Sequence, residues 1–428
     1  MKKPSRLLLR EAWPLAEKIA QYLQTNQHVQ QLAVAGAVRR RLETVADIEL
    51  VIASSAADTV LDLVRSMPGI GQVRQQNHEE FSAELSVGIP LHIHVVEPAR
   101  FIPVLYFHTG SVSHNEQIAI IAQAYGWKFS RRGLNTANGE PLIIQDERQF
   151  CRRLGLSYIE PELREGRGEI ARARQGEMPD LVQLTDIKGG LHVHTAYSDG
   201  RDSIAALAAA AQKRGWSYLG ISDHSQSAHY AGGLKLPAIL QQRREIDHVN
   251  DQHPQLLILA GIECDIRPDG SLDYPDEILA QFDFVVASVH SAFKQDEKAM
   301  TRRIIKALGN PYVSMLGHLT GRMLLRRPGY AVDVEAVIQA AARTGTIIEI
   351  NANPRRLDLD WRWHTYAREQ GVLLSINPDA HSADELDYVQ YGLAAARKGG
   401  LTATDILNTR SAQAVQVRLQ AKRASILQ

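Results

Sequence analysis

Cysteine and long apolar segments are scarce in this sequence. Its only cysteines, Cys151 and Cys264, have neither C-x-x-C spacing nor the close spacing of a disulfide framework. No apolar export segment follows the first five residues, and no apolar run is long enough to span a bilayer. These absences argue against a secreted disulfide-rich protein and against a membrane role, and we expect a cytoplasmic protein.

An excess of charge of either sign is also missing. Lys and Arg together number 48, and Asp and Glu together also number 48. No global positive field therefore indicates nucleic-acid binding, and any such binding must rely on local basic patches. The 428 residues suffice for two or three domains, one of them with a core the size of a barrel.

The N-terminal part of the chain predicts a small α+β region. The periodicity of apolar residues predicts a helix over residues 6–23 and a strand over residues 31–35. Alternation over the following residues predicts a further strand that carries Asp47 and Glu49 on one face. Two carboxylates on one strand face can hold divalent cations for phosphoryl transfer, although a solvated strand edge explains them equally well.

Two short motifs lie around these carboxylates. Residues 36–40 are Gly-Ala-Val-Arg-Arg, and residues 43–49 are Glu-Thr-Val-Ala-Asp-Ile-Glu. The pattern resembles the palm of the family X DNA polymerases, in which a Gly-Ser pair grips phosphate and an Asp-x-Asp motif binds two metal ions. The resemblance implies an α+β fold like that of the nucleotidyltransferases for this region.

The sequence departs from that family where polymerisation needs specific groups. Ala37 replaces the phosphate-binding serine, Glu49 replaces an aspartate, and His92 replaces the third catalytic carboxylate. Metal stabilisation in such a site is worth several kcal/mol, so losing part of it costs on the order of a thousandfold in rate. We therefore expect a palm that no longer polymerises. Its degenerate site comprises Gly36, Ala37, Asp47, Glu49 and His92.

Two further expectations follow for the same region. As an alternative, His92 and His94, which share a strand face, could bind a different metal.

Residues 109–115 and 154–166 resemble the thumb of the same family, whose bacterial members carry a DNA-gripping lyase domain and a fingers domain before the palm. The resemblance implies an N-terminally truncated relative. We expect a palm over 1–110, a thumb-like region over 111–160, a charged linker rich in Gly and Pro over 161–185, and a last domain over 186–428.

From about residue 186 the chain alternates short apolar strands with helical stretches, which is the pattern of an α/β barrel. Each strand is followed at once by a polar side chain, in most cases a histidine or a carboxylate. Residues at the C-terminal strand ends of such barrels converge, so we expect one shared site. The predicted strands are residues 190–193, 218–222, 257–262, 284–289, 313–317, 346–350 and 373–376.

Nine residues near these strand ends are the expected metal ligands. Taken singly, His224 could cap the next helix and Glu263 could pair with an arginine, but together they predict a common metal site. Nine such groups exceed the four positions of one zinc ion and fit two or three cations, with Glu263 as a bridge. Imidazole with carboxylate suits zinc, manganese or iron better than calcium or magnesium. The expected ligands are His192, His194, Asp199, His224, Glu263, His290, His318, Asp379 and His381.

The motifs around these ligands resemble one known domain. They include His-x-His-x(4)-Asp-Gly, Gly-Ile-Glu-x-Asp-Ile and Asp-Ala-His-Ser, and they resemble the polymerase-and-histidinol-phosphatase (PHP) domain attached to bacterial family X polymerases. The resemblance covers roughly residues 186–415. It implies a distorted seven-stranded, TIM-like (β/α)7 barrel that holds three metals, favours Mn²⁺ over Zn²⁺ or Fe²⁺, and hydrolyses phosphoesters in DNA. Leu319 and Pro378 depart from the common pattern but replace no ligand.

Two arginines are the expected phosphate-binding groups. Arg322 and Arg356 each follow a ligand-bearing strand end and can bind phosphate with two nitrogen atoms. Salt bridges to Asp358 or Asp360 would also explain them.

The expected function is that of a metal-dependent phosphoesterase that acts on DNA. We expect a 3′-5′ exonuclease in DNA repair, with 3′-phosphatase or abasic-site endonuclease activity as variants, and single-stranded or gapped DNA with 3′ ends as its partner. The degenerate palm would then position the DNA. Three alternatives stay open: a small-molecule phosphatase like the histidinol-phosphate enzymes, a non-catalytic DNA-binding scaffold, and a residual DNA polymerase.

Overall fold

The computed structural model describes residues 6–76 and 79–424, and the chain divides into two units. The first unit is Met1–Pro179 and the second is Asp180–Gln428. The four-part division expected from the sequence stays a prediction. Residues 1–5, 77–78 and 425–428, which that division assigns to its first and last domains, lie outside the described residues.

The first unit contains nine described strands and seven described α-helices. The strands are β1 (Leu7–Leu8), β2 (Gln31–Val34), β3 (Thr44–Val45), β4 (Ile48–Ala53), β5 (Ile70–Gln76), β6 (Glu80–Leu85), β7 (Pro90–Val96), β8 (Trp127–Ser130) and β9 (Gly133–Thr136). The helices are α1 (Leu9–Gln24), α2 (Gly36–Arg39), α3 (Ala57–Ser66), α4 (Phe101–Thr109), α5 (Val112–Ala124), α6 (Glu147–Arg153) and α7 (Glu169–Gln175).

A five-stranded sheet organises the first part of this unit. Its strand order is β2-β4-β7-β6-β5, with β4 and β7 parallel and the other pairs antiparallel. Alternate residues of β7, Leu91, Ile93 and Val95, are buried in a core with α1 and α3. His92 and His94 are therefore on the opposite face, where Glu49 of β4 is the register partner of His92.

The start of the chain differs from the expected helix over residues 6–23. Leu7 and Leu8 pair with β3, and the helix begins at Leu9. The side chain of Arg6 donates to Thr44, and the side chain of Glu11 accepts from the backbone N–H of Leu8 at 2.9 Å. These contacts hold residues 6–8 extended. The backbone N–H of Leu8, which has no partner within the helix, is satisfied by the side chain of Glu11.

Residues 161–175, part of the expected linker, fold with the first unit. They contain a 3-10 helix, Pro161–Leu163, and α7. Arg164 is fully buried and donates to Glu147 at 2.6 Å. Glu169 is also buried, 2.7 Å from Nδ1 of His114. Charged residues of the segment that was expected to be a linker thus have buried partners.

The second unit contains seven described strands and eight described α-helices. The strands are β10 (Gly189–Val193), β11 (Tyr218–Ile221), β12 (Leu257–Asp265), β13 (Phe284–Ser288), β14 (Met315–Leu316), β15 (Ile347–Asn351) and β16 (Leu374–Asn377). The helices are α8 (Ile204–Lys213), α9 (Leu236–Gln252), α10 (Asp276–Leu279), α11 (Glu297–Leu308), α12 (Val334–Thr344), α13 (His364–Glu369), α14 (Val389–Lys398) and α15 (Ala412–Ala424).

These seven strands form a nearly closed barrel. They pair in chain order, and every pair is parallel. Val193 at the end of β10 bridges to Ala380 just beyond β16, and the N–H of His194 donates to the carbonyl of Ala380 at 2.8 Å. The α/β class and the TIM-like barrel expected from the sequence are confirmed, and each predicted strand overlaps an observed one.

Alternate strand residues divide between two hydrophobic cores. In β12, Ile258, Ala260 and Ile262 pack with the surrounding helices, whereas Leu259 packs with Phe284 of β13 in a second core inside the barrel. Helix α15 belongs to this inner core and covers the N-terminal strand ends, where Lys422 donates to the carbonyl of Val313 at 3.1 Å. The C-terminal strand ends remain for polar side chains.

Among the residues that the structure describes, we find no helix with both the length and the apolar character that a membrane crossing requires.

Candidate metal centre

Glu263 lies at the centre of the C-terminal strand ends. It continues the inner side of β12, on which Leu259 and Gly261 precede it, and its side chain is 1% exposed. Five imidazoles surround its carboxylate. They are His192 Nε2 (3.3 Å), His290 Nε2 (3.2 Å) and His318 Nε2 (3.0 Å) at Oε1, and His194 Nε2 (3.7 Å) and His224 Nδ1 (3.0 Å) at Oε2.

Asp199 and Asp379 complete this cluster. Asp199 Oδ2 lies 3.6 Å from Nε2 of His224 and 3.4 Å from Nε2 of His381. Asp379 Oδ1 lies 3.4 Å from Nε2 of His194. The rings of His194 and His381 stack with centroids 4.3 Å apart. The structure thus brings all nine expected ligands together, and their role as ligands stays a proposal.

The side chain of His192 does not follow the regular alternation of side chains along strand β10. Its φ is +58°, a region that residues other than glycine rarely adopt, and the pairing of β10 with β11 shifts in register between Gly190 and Val193. Asp379, beyond β16, also has a positive φ of +48°. Unfavourable backbone conformations persist where the surroundings enforce them, often at functional sites.

The turn that carries Asp199 is held from the neighbouring strand end. Asp223 accepts hydrogen bonds from the backbone N–H of Thr195 at 2.8 Å, from the Thr195 hydroxyl at 2.7 Å and from the hydroxyl of Ser198. A Cβ atom at Gly200 would lie 2.4 Å from the carbonyl oxygen of His194, so only glycine lets the turn fold back this closely. Asp223 therefore positions Asp199 without belonging to the cluster itself.

Two carboxylates that the sequence analysis missed orient the histidines. Glu349 Oε1 lies 2.6 Å from Nδ1 of His192, and Asp265 Oδ1 lies 2.6 Å from Nδ1 of His290. In both rings the Nε2 atom is left facing Glu263. Metal-bound histidines generally use such a carboxylate to fix the ring and its tautomer. The sequence did contain a signal for Glu349, because it is the only charged residue of the apolar strand β15.

The donor set fits divalent cations. Of the six buried imidazole nitrogens without a hydrogen bond in the described part of the chain, five belong to this cluster: His192 Nε2, both nitrogens of His194, His224 Nδ1 and His318 Nδ1. Unpaired buried polar atoms are costly unless a cation binds them. Three overlapping groups have ligand atoms within 4.8 Å of one another, which matches two or three ions. They are His194, Asp199, His224 and His381; His192, His194 and Glu263; and His224, Glu263 and His290.

Protonation in the cluster follows the same charges. Burial lowers the pKa of His194 to about 4. Although burial opposes it, the charge of Glu263 raises the pKa of His224 to about 10 and that of His290 to about 9. Burial would raise the pKa of Glu263, but the neighbouring imidazoles hold it well below its usual range. Protons and metal ions therefore compete for the same nitrogen atoms.

The two expected phosphate-binding arginines occupy different surroundings. Arg356 Nε lies 3.4 Å from Oδ2 of Asp379, next to the cluster. Arg322 instead donates to Asp360 at 2.6 Å and to the backbone carbonyl of Arg356 at 2.9 Å. The salt-bridge alternative considered for Arg322 is thus present, and Arg322 supports the loop that carries Arg356.

The residues expected to form a degenerate polymerase site lie in the first unit. Gly36 starts α2 with φ +61°, and a Cβ there would lie 2.8 Å from Oε2 of Glu49. Asp47 precedes β4, and burial together with Glu49 raises its pKa. Hydrogen bonds from His108 and His94 overcome burial and lower the pKa of Glu49 to about 2. Ala37 follows Gly36 in α2, and His92 is the register partner of Glu49.

Two family models match parts of this chain. The model described as DNA polymerase beta thumb matches residues 104–165 in the first unit. The model described as PHP domain matches residues 190–353, a range that contains all the expected barrel ligands except Asp379 and His381. The resemblances to the thumb and to the PHP domain are confirmed.

Individual relatives agree with these models. The chain is 38% identical over 422 residues to the DNA polymerase/3'-5' exonuclease PolX of Bacillus subtilis (strain 168), an alignment that covers 98% of this chain and 74% of the relative. It is 31% identical over 235 residues to a protein of Thermoanaerobacter sp. (strain X514) named probable phosphatase, covering 51% of this chain and 89% of the relative. A probable phosphatase of Caldanaerobacter subterraneus is 27% identical over 252 residues, covering 55% of this chain and 92% of the relative.

Proposed function

Because the chain belongs to the PolX family, whose Bacillus subtilis member is named as both a DNA polymerase and a 3'-5' exonuclease, we propose that its barrel removes nucleotides from the 3′ end of DNA. The second unit is a metal-dependent hydrolase of the PHP type. The observation that carries the proposal is the single cluster of imidazoles and carboxylates around Glu263, at the end of the barrel where such enzymes bind substrates. A role in DNA repair is part of the proposal.

The residues in and around the cluster would have different roles in this reaction. The six histidines with Asp199, Glu263 and Asp379 would hold the ions, and Glu349 and Asp265 would keep His192 and His290 oriented. When bound, the ions supply Lewis acidity that activates water for attack on phosphorus and stabilises charge on the leaving oxygen. Arg356, next to Asp379, would bind a non-bridging phosphate oxygen.

We further propose that the first unit no longer polymerises DNA. The support is that the carboxylate of Glu49 contacts two imidazoles. Its Oε1 lies 2.9 Å from His94 Nε2 and 2.5 Å from His108 Nδ1. Ala37 brings no hydroxyl group to a phosphate, and His92 brings no negative charge to a metal. A primer-extension assay with Mn²⁺ or Mg²⁺ should therefore give no product. Extension by the His192→Ala variant, which lacks the expected nuclease, would contradict this.

Residues 104–165, which match the polymerase thumb, support DNA as the partner. The chain is neutral overall, so a local basic patch must bind the phosphates. Four exposed arginines in this range are suited to that role, two in the turn between β8 and β9 and two at the end of α6: Arg131, Arg132, Arg152 and Arg153. Their replacement should weaken DNA binding for all sequences alike.

The test is digestion of a single-stranded oligonucleotide labelled at its 5′ or its 3′ end, with Mn²⁺ present. We expect a ladder of 5′-labelled products that shorten from the 3′ end, and release of the 3′ label at the first step. His192→Ala and His290→Ala should abolish both, because each removes a ligand that faces Glu263. His28→Ala, an exchange in the first unit, is the matched control and should keep full activity.

A small-molecule phosphatase is the second candidate. It is favoured by relatives named probable phosphatase, which match about half of this chain. A parallel assay with a phosphate monoester such as p-nitrophenyl phosphate separates the two. Intact DNA together with rapid monoester hydrolysis would reject the exonuclease and support the phosphatase.

A further inference from the structure

A second cluster of metal-binding side chains lies in the first unit. Glu49, His94 and His108 have ligand atoms within 4.8 Å of one another. Oε1 of Glu49 lies 2.9 Å from Nε2 of His94 and 2.5 Å from Nδ1 of His108. The two imidazole rings stack with centroids 3.7 Å apart and an angle of 26° between their planes. One carboxylate oxygen and two imidazole nitrogens therefore converge on one point.

Three elements of regular structure build this arrangement. β4 and β7 pair in parallel, so Glu49 and His94 project from the same face of adjacent strands. Helix α4 follows β7 after a short 3-10 turn and carries His108 in its last turn. The helix is fixed against the sheet by buried residues such as Val104 and Leu105. Ligands on rigid elements are held in place before an ion binds.

The chemistry of the three donors is selective. Two histidines with one carboxylate form the donor set of non-haem Fe²⁺ sites and of many zinc enzymes, whereas Mg²⁺ prefers oxygen ligands. Tetrahedral coordination at about 2.05 Å separates ligand atoms by about 3.3 Å. The present separations of 2.9 and 2.5 Å are those of hydrogen bonds, so small side-chain rotations would admit an ion between them.

Open space lies next to the cluster. A cavity of about 550 Å³ has His94 and His108 in its wall, and another of about 400 Å³ has Glu49 and His108 in its wall. Phe107 and Phe129 line both cavities. Three protein ligands beside a cavity leave coordination positions for water or a small ligand, as in catalytic rather than structural zinc sites.

We propose that Glu49, His94 and His108 bind one divalent transition-metal ion of the Zn²⁺ or Fe²⁺ class. This site takes the place of the carboxylate site that the palm would need for Mg²⁺. It is also distinct from the pairing of His92 with His94 considered from the sequence, because His108, on a helix, supplies the second imidazole. The inference does not depend on the activity of the barrel.

The test counts zinc bound to the full chain. Protein is saturated with Zn²⁺ and passed through a desalting column, and zinc per chain is measured by atomic emission. His94→Gln and His108→Gln should each contain one ion fewer than the unmodified chain. His92→Gln, a change on the same strand face, should lose none. A Glu263→Gln variant should lose barrel ions and still show the difference of one ion when His108→Gln is added.

A spectroscopic readout accompanies the count. Co²⁺ bound to the Glu263→Gln protein should give visible absorption bands that lose the intensity of one ion when His108→Gln is added. Circular dichroism identifies variants that fold, and Glu49→Gln, which keeps the size of the side chain, replaces any histidine variant that does not. Zinc content that His94→Gln and His108→Gln leave unchanged, each compared with its own parent protein, would overturn the proposal. Loss of the ion in His92→Gln would overturn the assigned ligand set.

Discussion

Glu349 and His192 form a fully buried pair, with Oε1 of the carboxylate 2.6 Å from Nδ1 of the imidazole. The same carboxylate accepts hydrogen bonds from Asn377 at 2.9 Å and from the backbone N–H of His318 at 2.8 Å. One residue of β15 thus fixes the ring of a residue on β10 and the backbone of another beyond β14. Glu349 is therefore a positioning residue for two candidate ligands.

Replacing Glu349 by glutamine should weaken metal binding without removing a ligand. The amide keeps the shape of the side chain but removes the charge that holds the proton on Nδ1 of His192. Loss of such a partner typically lowers metal affinity by about 10- to 100-fold. Titration of the metal-free protein with Mn²⁺ measures the change, and hydrolysis should recover at high Mn²⁺. Unchanged affinity would mean that His192 needs no such support.

The expected ligands could be found in the sequence because strand ends in a barrel converge whatever the details of packing. An apolar strand that ends in a histidine or a carboxylate, as at Glu263 or His290, is a local pattern. The partners of those ligands are not local. Glu349 is 157 residues from His192, and only the closure of the barrel brings β15 near β10.

The first unit shows the same limit. The alternation of β7 predicted that His92 and His94 share a face, and it could not predict that His108 would join Glu49. That contact depends on how α4 packs on the sheet, which no sequence period encodes. The sequence predicted a phosphate for Arg322, with a salt bridge to Asp358 or Asp360 as the alternative, because the observed contact with Asp360 depends on the loop conformation.

Arg356 and Arg322 should respond differently to substitution. Arg356→Ala removes a charge next to Asp379 and should lower kcat/KM about 10- to 100-fold. This range follows because a hydrogen bond to a charged group is worth about 1.5–3 kcal/mol. Arg356→Lys should recover part of this. Steady-state hydrolysis at saturating Mn²⁺ measures both. Arg322→Ala should instead destabilise the loop and lower Tm. Loss of kcat/KM with an unchanged Tm would contradict its assignment to Asp360.

Removal of the metal ions should loosen the barrel. Ions that bind only the folded state contribute about 2.7 kcal/mol at a hundredfold excess over the dissociation constant. A chelator should therefore abolish hydrolysis and speed hydrogen exchange in β12 and β13, whose ends carry Glu263 and His290. Restored Mn²⁺ should reverse both effects. The Glu263→Gln variant should show little further change on chelation, and a similar response in it would place the stabilising ions elsewhere.

Acid should destabilise the first unit through a buried ion pair. Glu147 Oε1 lies 2.6 Å from Nη1 of Arg164, and Glu147 Oε2 lies 2.6 Å from Nη2 of Arg39. Burial would raise the pKa of Glu147, but Arg164 and Arg39 lower it from 4.5 to about 2. A shift of this size corresponds to about 3 kcal/mol. Because the pKa is lower in the folded state, this contribution is complete above about pH 4.5 and is lost as the pH falls towards 2.

Comparison with Glu147→Gln isolates this contribution. At neutral pH the variant should be less stable by about 3–5 kcal/mol, since it leaves the buried guanidinium of Arg164 without its counter-charge. Hydrogen exchange of peptides from α6 and α7 measures the difference in the first unit alone. The difference should shrink between pH 4.5 and 2, because the unmodified carboxylate becomes protonated. Glu49, whose pKa is also lowered to about 2, is common to both proteins and cancels. A gap that stays constant over this range would show that Glu147 stabilises the unit by shape and not by charge.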